Sequence, residues 1–303
     1  MRKGLVHHSG VERRLFTAFF WLLAGGLYTG VLLSRLPEHP YARIAFAIPL
    51  CVLIYAYTLA PKAIKIRRYT VPMLPPGGTP IRIAYISDVH TGDHLPQNQL
   101  KRVTQMLNRE QPDAILIGGD MVEREAESVV QLATWDTLTA PLGIFAILGN
   151  HDYEDCPEAI REVYALLGWT DATNAKFTLT KGETSVELMG TDDTFFGHPN
   201  VDSLHSPHAL PRVVLAHSPD TMLDLNAGDA DLVLAGHTHG GQIRLPFIGP
   251  ITRLPQRGPR AWDRGRKTAN GIPLIISAGL GLSGPAVRLF CPPELVIVDL
   301  VGV

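Results

Sequence analysis

Cysteine is scarce in this chain: Cys51, Cys156 and Cys291 are its only three, scattered over 303 residues. That excludes a disulfide framework and a thiolate metal cluster, both of which need sulfurs at close, paired spacings. A basic excess is missing as well. The formal charge of −2 argues against a protein that coats a polyanion, since nucleic-acid binders carry a clear positive surplus, so no nucleic-acid partner is expected. Internal repeats and low-complexity tracts are also absent. The chain does have twelve histidines, several in short glycine-flanked clusters, and a hydrophobic content of 46% that is unevenly spread.

The apolar excess sits at the front. Residues 15–33 (LFTAFFWLLAGGLYTGVLL) carry no charge and have about the length that crosses a bilayer. Residues 44–60 (IAFAIPLCVLIYAYTLA) are also uncharged, at the short end of the spanning range, and a buried core helix is the competing reading there. No small-residue cleavage site follows the first run, so an anchor is expected rather than a removed signal peptide. Arg2, Lys3, Arg13 and Arg14 precede the first run and Lys62, Lys65, Arg67 and Arg68 follow the second, whereas the turn between them has only Arg35 and Arg43. The positive-inside rule then gives a multi-pass hairpin over residues 1–68 with both ends in the cytoplasm. Arg13-Arg14 also loosely matches a twin-arginine export signal, which would put the body on the opposite face.

Residues 69–80 (YTVPMLPPGGTP) read as a linker, and 81–303 as the soluble domain. Short apolar runs at 81–86, 114–117, 143–147, 186–189, 213–216, 232–235, 274–277 and 295–300 predict strands. Apolar spacing near 3.6 predicts helices over 97–109, 128–139 and 158–167. Alternating strands and helices make this an α/β layered domain.

The polar clusters share one location, directly after a predicted buried strand. Ser87-Asp88-Val89-His90 follows the first, Gly118-Gly119-Asp120 the second and Gly149-Asn150-His151-Asp152 the third; His217 and Gly236-His237-Thr238-His239 follow two more. Ligands of α/β sheets bind at the carboxyl ends of strands, so these clusters can converge. Carboxylates, an amide oxygen and imidazoles without thiolate suit divalent ions such as manganese, iron, zinc, cobalt or nickel. Two such ions about 3.5–4 Å apart can activate water, orient a phosphoryl group and stabilise its leaving oxygen. Any one of these motifs alone would more often be a turn residue than a ligand.

The order D-x-H, G-D, G-N-H-D, H, G-H-T-H resembles the calcineurin-like metallophosphoesterase family, over roughly residues 81–300. The likeness extends to HSPD (217–220), GHTHGGQIRLP (236–246) and the tail 277–300, which look like a membrane-associated or exported bacterial branch that includes UDP-2,3-diacylglucosamine pyrophosphohydrolases of lipid A synthesis. The resemblance implies a four-layer αββα sandwich, here preceded by the transmembrane hairpin in a bacterial inner membrane. It implies two divalent ions, manganese first and magnesium among the alternatives. Asp88, His90 and His239 would hold one ion and Asn150, His217 and His237 the other, with Asp120 bridging. His151 would act as general acid toward the leaving oxygen, oriented by Asp152, and the attacking group would be metal-bound hydroxide. The implied substrate is a phosphorylated small molecule or lipid-linked diphosphate. A broad-specificity phosphodiesterase or phosphomonoesterase, a nuclease and an inactive membrane-bound binding module are the rivals. The sequence fixes no oligomeric state.

Other polar residues are weighed without promotion. His94, His198, His205 and His208 read as surface histidines, and Asp192-Asp193 as turn formers or cleft residues. Arg244, Arg253, Arg257, Arg260, Arg264, Arg266 and Lys267 form a basic stretch that suits a solvated loop, a diphosphate or anionic headgroups. Cys156 and Cys291 read as inert.

Overall fold

The computed structural model describes residues 40–92, 95, 97–122 and 126–303, with positions 25, 26, 28, 31 and 35. One six-stranded sheet is built from β1 (Lys65–Leu74), β2 (Ile81–Ile86), β3 (Ala114–Ile117), β4 (Ile144–Ala146), β5 (Thr170–Asp171) and β14 (Glu294–Gly302), in spatial order β1-β14-β2-β3-β4-β5. The other contains β6 (Lys176–Lys181), β7 (Thr184–Gly190), β8 (Arg212–Leu215), β9 (Leu232–Ala235), β12 (Gly265–Ala269) and β13 (Ile272–Ile276), ordered β12-β13-β9-β8-β7-β6. A small hairpin, β10 (Arg244–Leu245) with β11 (Gly249–Pro250), stands apart from both.

The sheets pack face to face, which explains why their strands are apolar on both sides. In β2, Ile81, Ile83 and Tyr85 enter the core between the sheets, where they meet Val213, Leu215, Leu232 and Leu234. Ala84 and Ile86 point the other way, toward Leu100, Val103 and Leu107 of α2 (Gln97–Glu110). A strand buried on both faces reads as a continuous apolar run rather than an alternation. The helical layer on the first sheet also includes α3 (Pro157–Leu166) and the 3-10 segment Ala126–Trp135, which replaces the α-helix expected over 128–139. The outer face of the second sheet is covered thinly. Short turns carrying Leu204, Met222 and Leu225 lie over Val214, Val233 and Ile276.

The expected linker is only partly a linker. Lys65–Leu74 forms β1, which pairs in parallel with β14 from Lys65↔Glu294 to Leu74↔Gly302, so the folded body begins well before residue 81. The proline in β1 is tolerated because this strand is the sheet's edge.

The first apolar run, 15–33, lies outside the described residues apart from a few isolated positions. The second falls within α1 (Pro40–Ile54), which continues as a π-turn over Tyr55–Leu59 and a 3-10 turn over Ala60–Lys62. No helix among the described residues is long and apolar enough to cross a membrane. Ile44, Ile48 and Ile54 are more than half exposed, whereas Ala56 is buried against Ile243, Val287 and Leu289 of the body.

Candidate metal centre

All five predicted clusters meet at the carboxyl ends of β2, β3, β4, β8 and β9. Ligand atoms of Asp88, His90, Asp120 and His239 fall within 4.8 Å of one another, as do those of Asp120, His217 and His237. Asp120 belongs to both groups. It is buried, with Oδ2 lying 3.3 Å from His217 Nε2 and 3.6 Å from His90 Nε2. Asn150 joins the second group through Oδ1, 3.0 Å from His217 Nε2.

Two of the imidazoles, His217 and His237, are held so that one ring nitrogen of each faces inward. His217 Nδ1 donates to the Gly118 carbonyl at 2.8 Å, and His237 Nε2 donates to the Pro255 carbonyl. Those bonds leave His217 Nε2 and His237 Nδ1 facing each other at 3.1 Å, beside the acceptor oxygens of Asn150 and Asp120. Once His217 gives up its Nε2 proton, lone pairs converge from four side chains that cannot satisfy one another, and a cation satisfies them all. His90 Nε2 and His239 Nε2 also face each other, 3.1 Å apart, beside Asp88, whose Oδ1 is 3.6 Å from His239 Nε2. The donor set therefore fits divalent ions on both sides of Asp120.

Backbone conformation is also specialised here. Asp88, His90, Asp120, His237 and His239 all adopt left-handed φ, between 44° and 68°. Such residues cost about 1–3 kcal/mol each and persist only where surroundings enforce them, as around a site. The enforcement includes a close approach of two loops. A Cβ on Gly119 would lie 2.8 Å from Gly149 Cα, and one on Gly149 would press on Asp120 and sit 2.6 Å from His217 Cε1. Gly149→Ala is accordingly expected to lower metal content and to drop Tm by about 2–10 °C, given an overpacking cost of about 1–3 kcal/mol. Elemental analysis and a thermal melt check this; an unchanged melt with full metal would show that the loops can part.

Electrostatics follow from burial and proximity. Burial disfavours charge on His217, yet Asp120, Asp88 and Asp193 hold its imidazolium up to about 10. Burial, with the neighbouring His217, pushes His237 down to about 3. Burial and His90 drive His239 well below the usual imidazole range. Burial raises Asp88, while His217, His151 and His90 overcome burial to hold Asp120 well below the usual carboxylate range. Metal binding must displace the His217 proton, so loading is expected to release protons.

His151 is placed apart from both ligand groups. Its amide donates to Asp120 Oδ1 at 2.9 Å, while its ring is partly exposed, with Nε2 3.4 Å from Ser283 Oγ. Asp152 does not do what was expected of it. Its Oδ1 accepts from the Met121 amide at 2.7 Å and its Oδ2 from the Gly149 amide at 2.9 Å. Both oxygens are thus committed to tying the β3 and β4 loops together; the His151 ring instead has Glu154 3.7 Å from Nδ1. Burial and Asp120 raise Asp152 to about 7.

Three neighbours were not expected at all. Phe195 stacks on the His237 ring at 4.8 Å, Ser283 meets His151, and Arg288 is fully buried with its guanidinium donating to the carbonyls of Ala278, Gly279, Gly281 and Cys291. A pattern of charged ligands after strands contains no signal for them. Of the aspartate pair, Asp193 is buried and caps the amides of Phe195 and Phe196. His198, His205 and His208 lie away from the site, His205 pairing with Asp229; His94 lies outside the described residues.

Comparison with known proteins agrees with this geometry. The family profile for calcineurin-like phosphoesterase matches residues 81–241. The metallophosphoesterase YkuE of Bacillus subtilis is 30% identical over 81% of this chain and 88% of its own. Phosphodiesterase YaeI of Escherichia coli is 28% identical over 82% of this chain and 92% of its own. UDP-2,3-diacylglucosamine pyrophosphatase LpxG of Chlamydia muridarum is 28% identical over 83% and 93% respectively. The converging ligands, the paired sheets and these matches carry one conclusion: the chain belongs to the calcineurin-like phosphoesterase family and is a hydrolase of phosphoester bonds.

Proposed function

We propose that this hydrolase cleaves a phosphodiester or pyrophosphate bond in a lipid-linked substrate such as UDP-2,3-diacylglucosamine. The observation that carries the chemistry is the pair of ligand groups sharing Asp120. Asp88, His90 and His239 would hold one divalent ion and Asn150, His217 and His237 the other, with Asp120 common to both groups; manganese is the first candidate. Ions bound there supply a water activated for attack and neutralise the phosphoryl charge. The chain's own residues do the rest. His151 Nε2, beside Ser283 Oγ, holds the proton that passes to the departing oxygen. Asp152 fixes where His151 starts by locking the two loops that carry it and Asp120. Phe195, stacked on His237, shields that side of the centre from water.

The lipid-linked substrate is supported by the likeness to LpxG and by the two uncharged runs, 15–33 and 44–60, which we read as a membrane hairpin. The likeness to YaeI favours a second reading, a phosphodiesterase of broader range. Hydrolysis measured against p-nitrophenyl esters, nucleic acids and UDP-diacylglucosamine, with the metal varied, separates the two. Preference for the glycolipid by a factor of ten or less over simple diesters would favour the broader range.

Placement follows from flanking charge. With basic residues outside both runs, the hairpin puts the catalytic body in the cytoplasm of a bacterial inner membrane. A reporter fused after Val303 is expected to give cytoplasmic fluorescence and no alkaline phosphatase activity. A strongly active phosphatase fusion would mean that 44–60 does not span, and the glycolipid reading would lose its main support.

A further inference from the structure

The basic stretch after His239 is not consumed by the metal centre. Part of it lines a groove of about 620 Å³ between the β10–β11 hairpin and residues 260–264, with Arg244, Arg260 and Arg264 on its walls and Asp263 as its acid. Asp263 is already shared: Arg244 Nη1 lies 2.8 Å from one oxygen and Lys267 Nζ 3.0 Å from the other. Among the described residues neither Arg260 nor Arg264 meets a carboxylate. Arg260 donates to the Pro250 carbonyl, and Arg264 Nη1 lies 3.4 Å from Cys291 Sγ. The groove therefore keeps a positive surplus that an anion would neutralise.

Its rim is of the opposite character. Phe247 is fully exposed, Ile248 71% and Phe290 53%, and all three border the groove. Phe247 and Phe290 hold left-handed φ of 66° and 52°, an unfavourable conformation for bulky residues that here turns both rings outward. Apolar side chains gathered at one exposed edge mark an interaction surface rather than ordinary surface scatter. A soluble anion would have no use for them; a lipid offers anionic and apolar parts side by side.

The groove is also continuous with the helical run that ends at Lys62. Ile243, which leads into β10, and Leu289, next to Phe290, pack on Ala56, and the Arg288 amide donates to the Ala56 carbonyl at 3.0 Å. The outward Ile48, Ile54 and Tyr57 of that run are about half exposed. One rigid edge thus joins an apolar helix to an apolar hairpin tip with arginines beside it.

We propose that this groove seats the headgroup of an anionic bilayer phospholipid, with Phe247, Ile248 and Phe290 entering the interfacial layer beneath it. The hairpin is thereby a second membrane contact, set beside the metal centre's own loop, and it fixes how the body lies on the bilayer. It rests on the membrane placement above for its access to lipid, but its chemistry is separate from the anchor.

The test uses the full chain with p-benzoylphenylalanine replacing Phe247, presented to nanodiscs of phosphatidylcholine alone or with added phosphatidylglycerol. Photolysis is expected to yield lipid adducts, more abundant by about fivefold or more with the anionic lipid, the gain that a basic residue near such a surface provides. Arg260→Gln should remove most of that gain and leave p-nitrophenyl ester hydrolysis unchanged. Absence of lipid adducts, or equal adducts with both lipids, overturns the proposal. Loss of the gain on adding millimolar inorganic phosphate overturns it too, since the groove would then take a free anion. Co-elution of the chain with neutral discs reads the anchor separately. A chain that fails to co-elute there but forms adducts on anionic discs sinks the anchor and leaves the groove assignment standing.

Discussion

Asp120→Asn is expected to reduce hydrolysis by roughly 10³-fold or more, since a bound metal contributes several kcal/mol and each 1.4 kcal/mol is tenfold. Metal content should fall with it. Asp120 is the only side chain common to both ligand groups, and it is buried between His217 and His90. One of its oxygens already accepts the His151 amide at 2.9 Å. An asparagine that preserves this bond must turn its NH2 toward the two imidazole nitrogens, replacing a shared anion with donors aimed at the metal positions. The substitution thus removes charge and inverts polarity in a site where neither can be screened by water. Hydrolysis of bis-p-nitrophenyl phosphate together with elemental analysis provides the check. Full activity with two metals per chain would sink the shared-carboxylate assignment.

His151→Asn should behave differently, keeping both metals while turnover falls roughly 10²–10⁴-fold, the range for a positioned acid. His151 lies outside the two ligand groups, and its ring packs edge-on to His90 at 5.0 Å with Nε2 beside Ser283 Oγ. The deficit should be larger for alkyl leaving groups than for p-nitrophenolate, which departs without a proton. Metal analysis decides the role: an ion lost from this variant makes His151 a ligand, and a deficit independent of the leaving group removes proton donation from its account.

The site was legible in sequence because chemistry and topology coincide. Each ligand directly follows an apolar strand, and parallel strands deliver their carboxyl ends to one edge, so a one-dimensional pattern of apolar run then polar cluster maps onto a three-dimensional convergence. Asp152 shows where that logic stops. Its neighbour in sequence is His151, but its partners are backbone amides, one of them at Met121, and backbone groups leave no trace in residue identity. The Pro255 carbonyl that orients His237 is hidden for the same reason. In the fold, the central strands were legible and the edges were not. KIRRYTVPML, KFTLTK and GRKTA are β1, β6 and β12, each at a sheet margin, where half the side chains face water and hydrophobic content no longer marks a strand. Arg288 carried no signal either, since a buried guanidinium satisfied by carbonyls looks in sequence like any surface arginine.

The pairing of β1 with β14 has a bearing on how the chain is made. β14 lies between β1 and β2, bonded to Lys65–Leu74 on one side and to Ile81–Ile86 on the other. Strands adjacent in sequence are therefore held together only by one that leaves the ribosome long after them. At ordinary elongation rates that delay is on the order of 10–50 s. During it, β2 keeps an unpaired apolar edge and β1 has no partner, a state open to aggregation or to holdase chaperones. The first sheet is completed only when β14 has been made. Truncations that remove β14 are thus expected to leave the first sheet open, however complete the ligand set upstream.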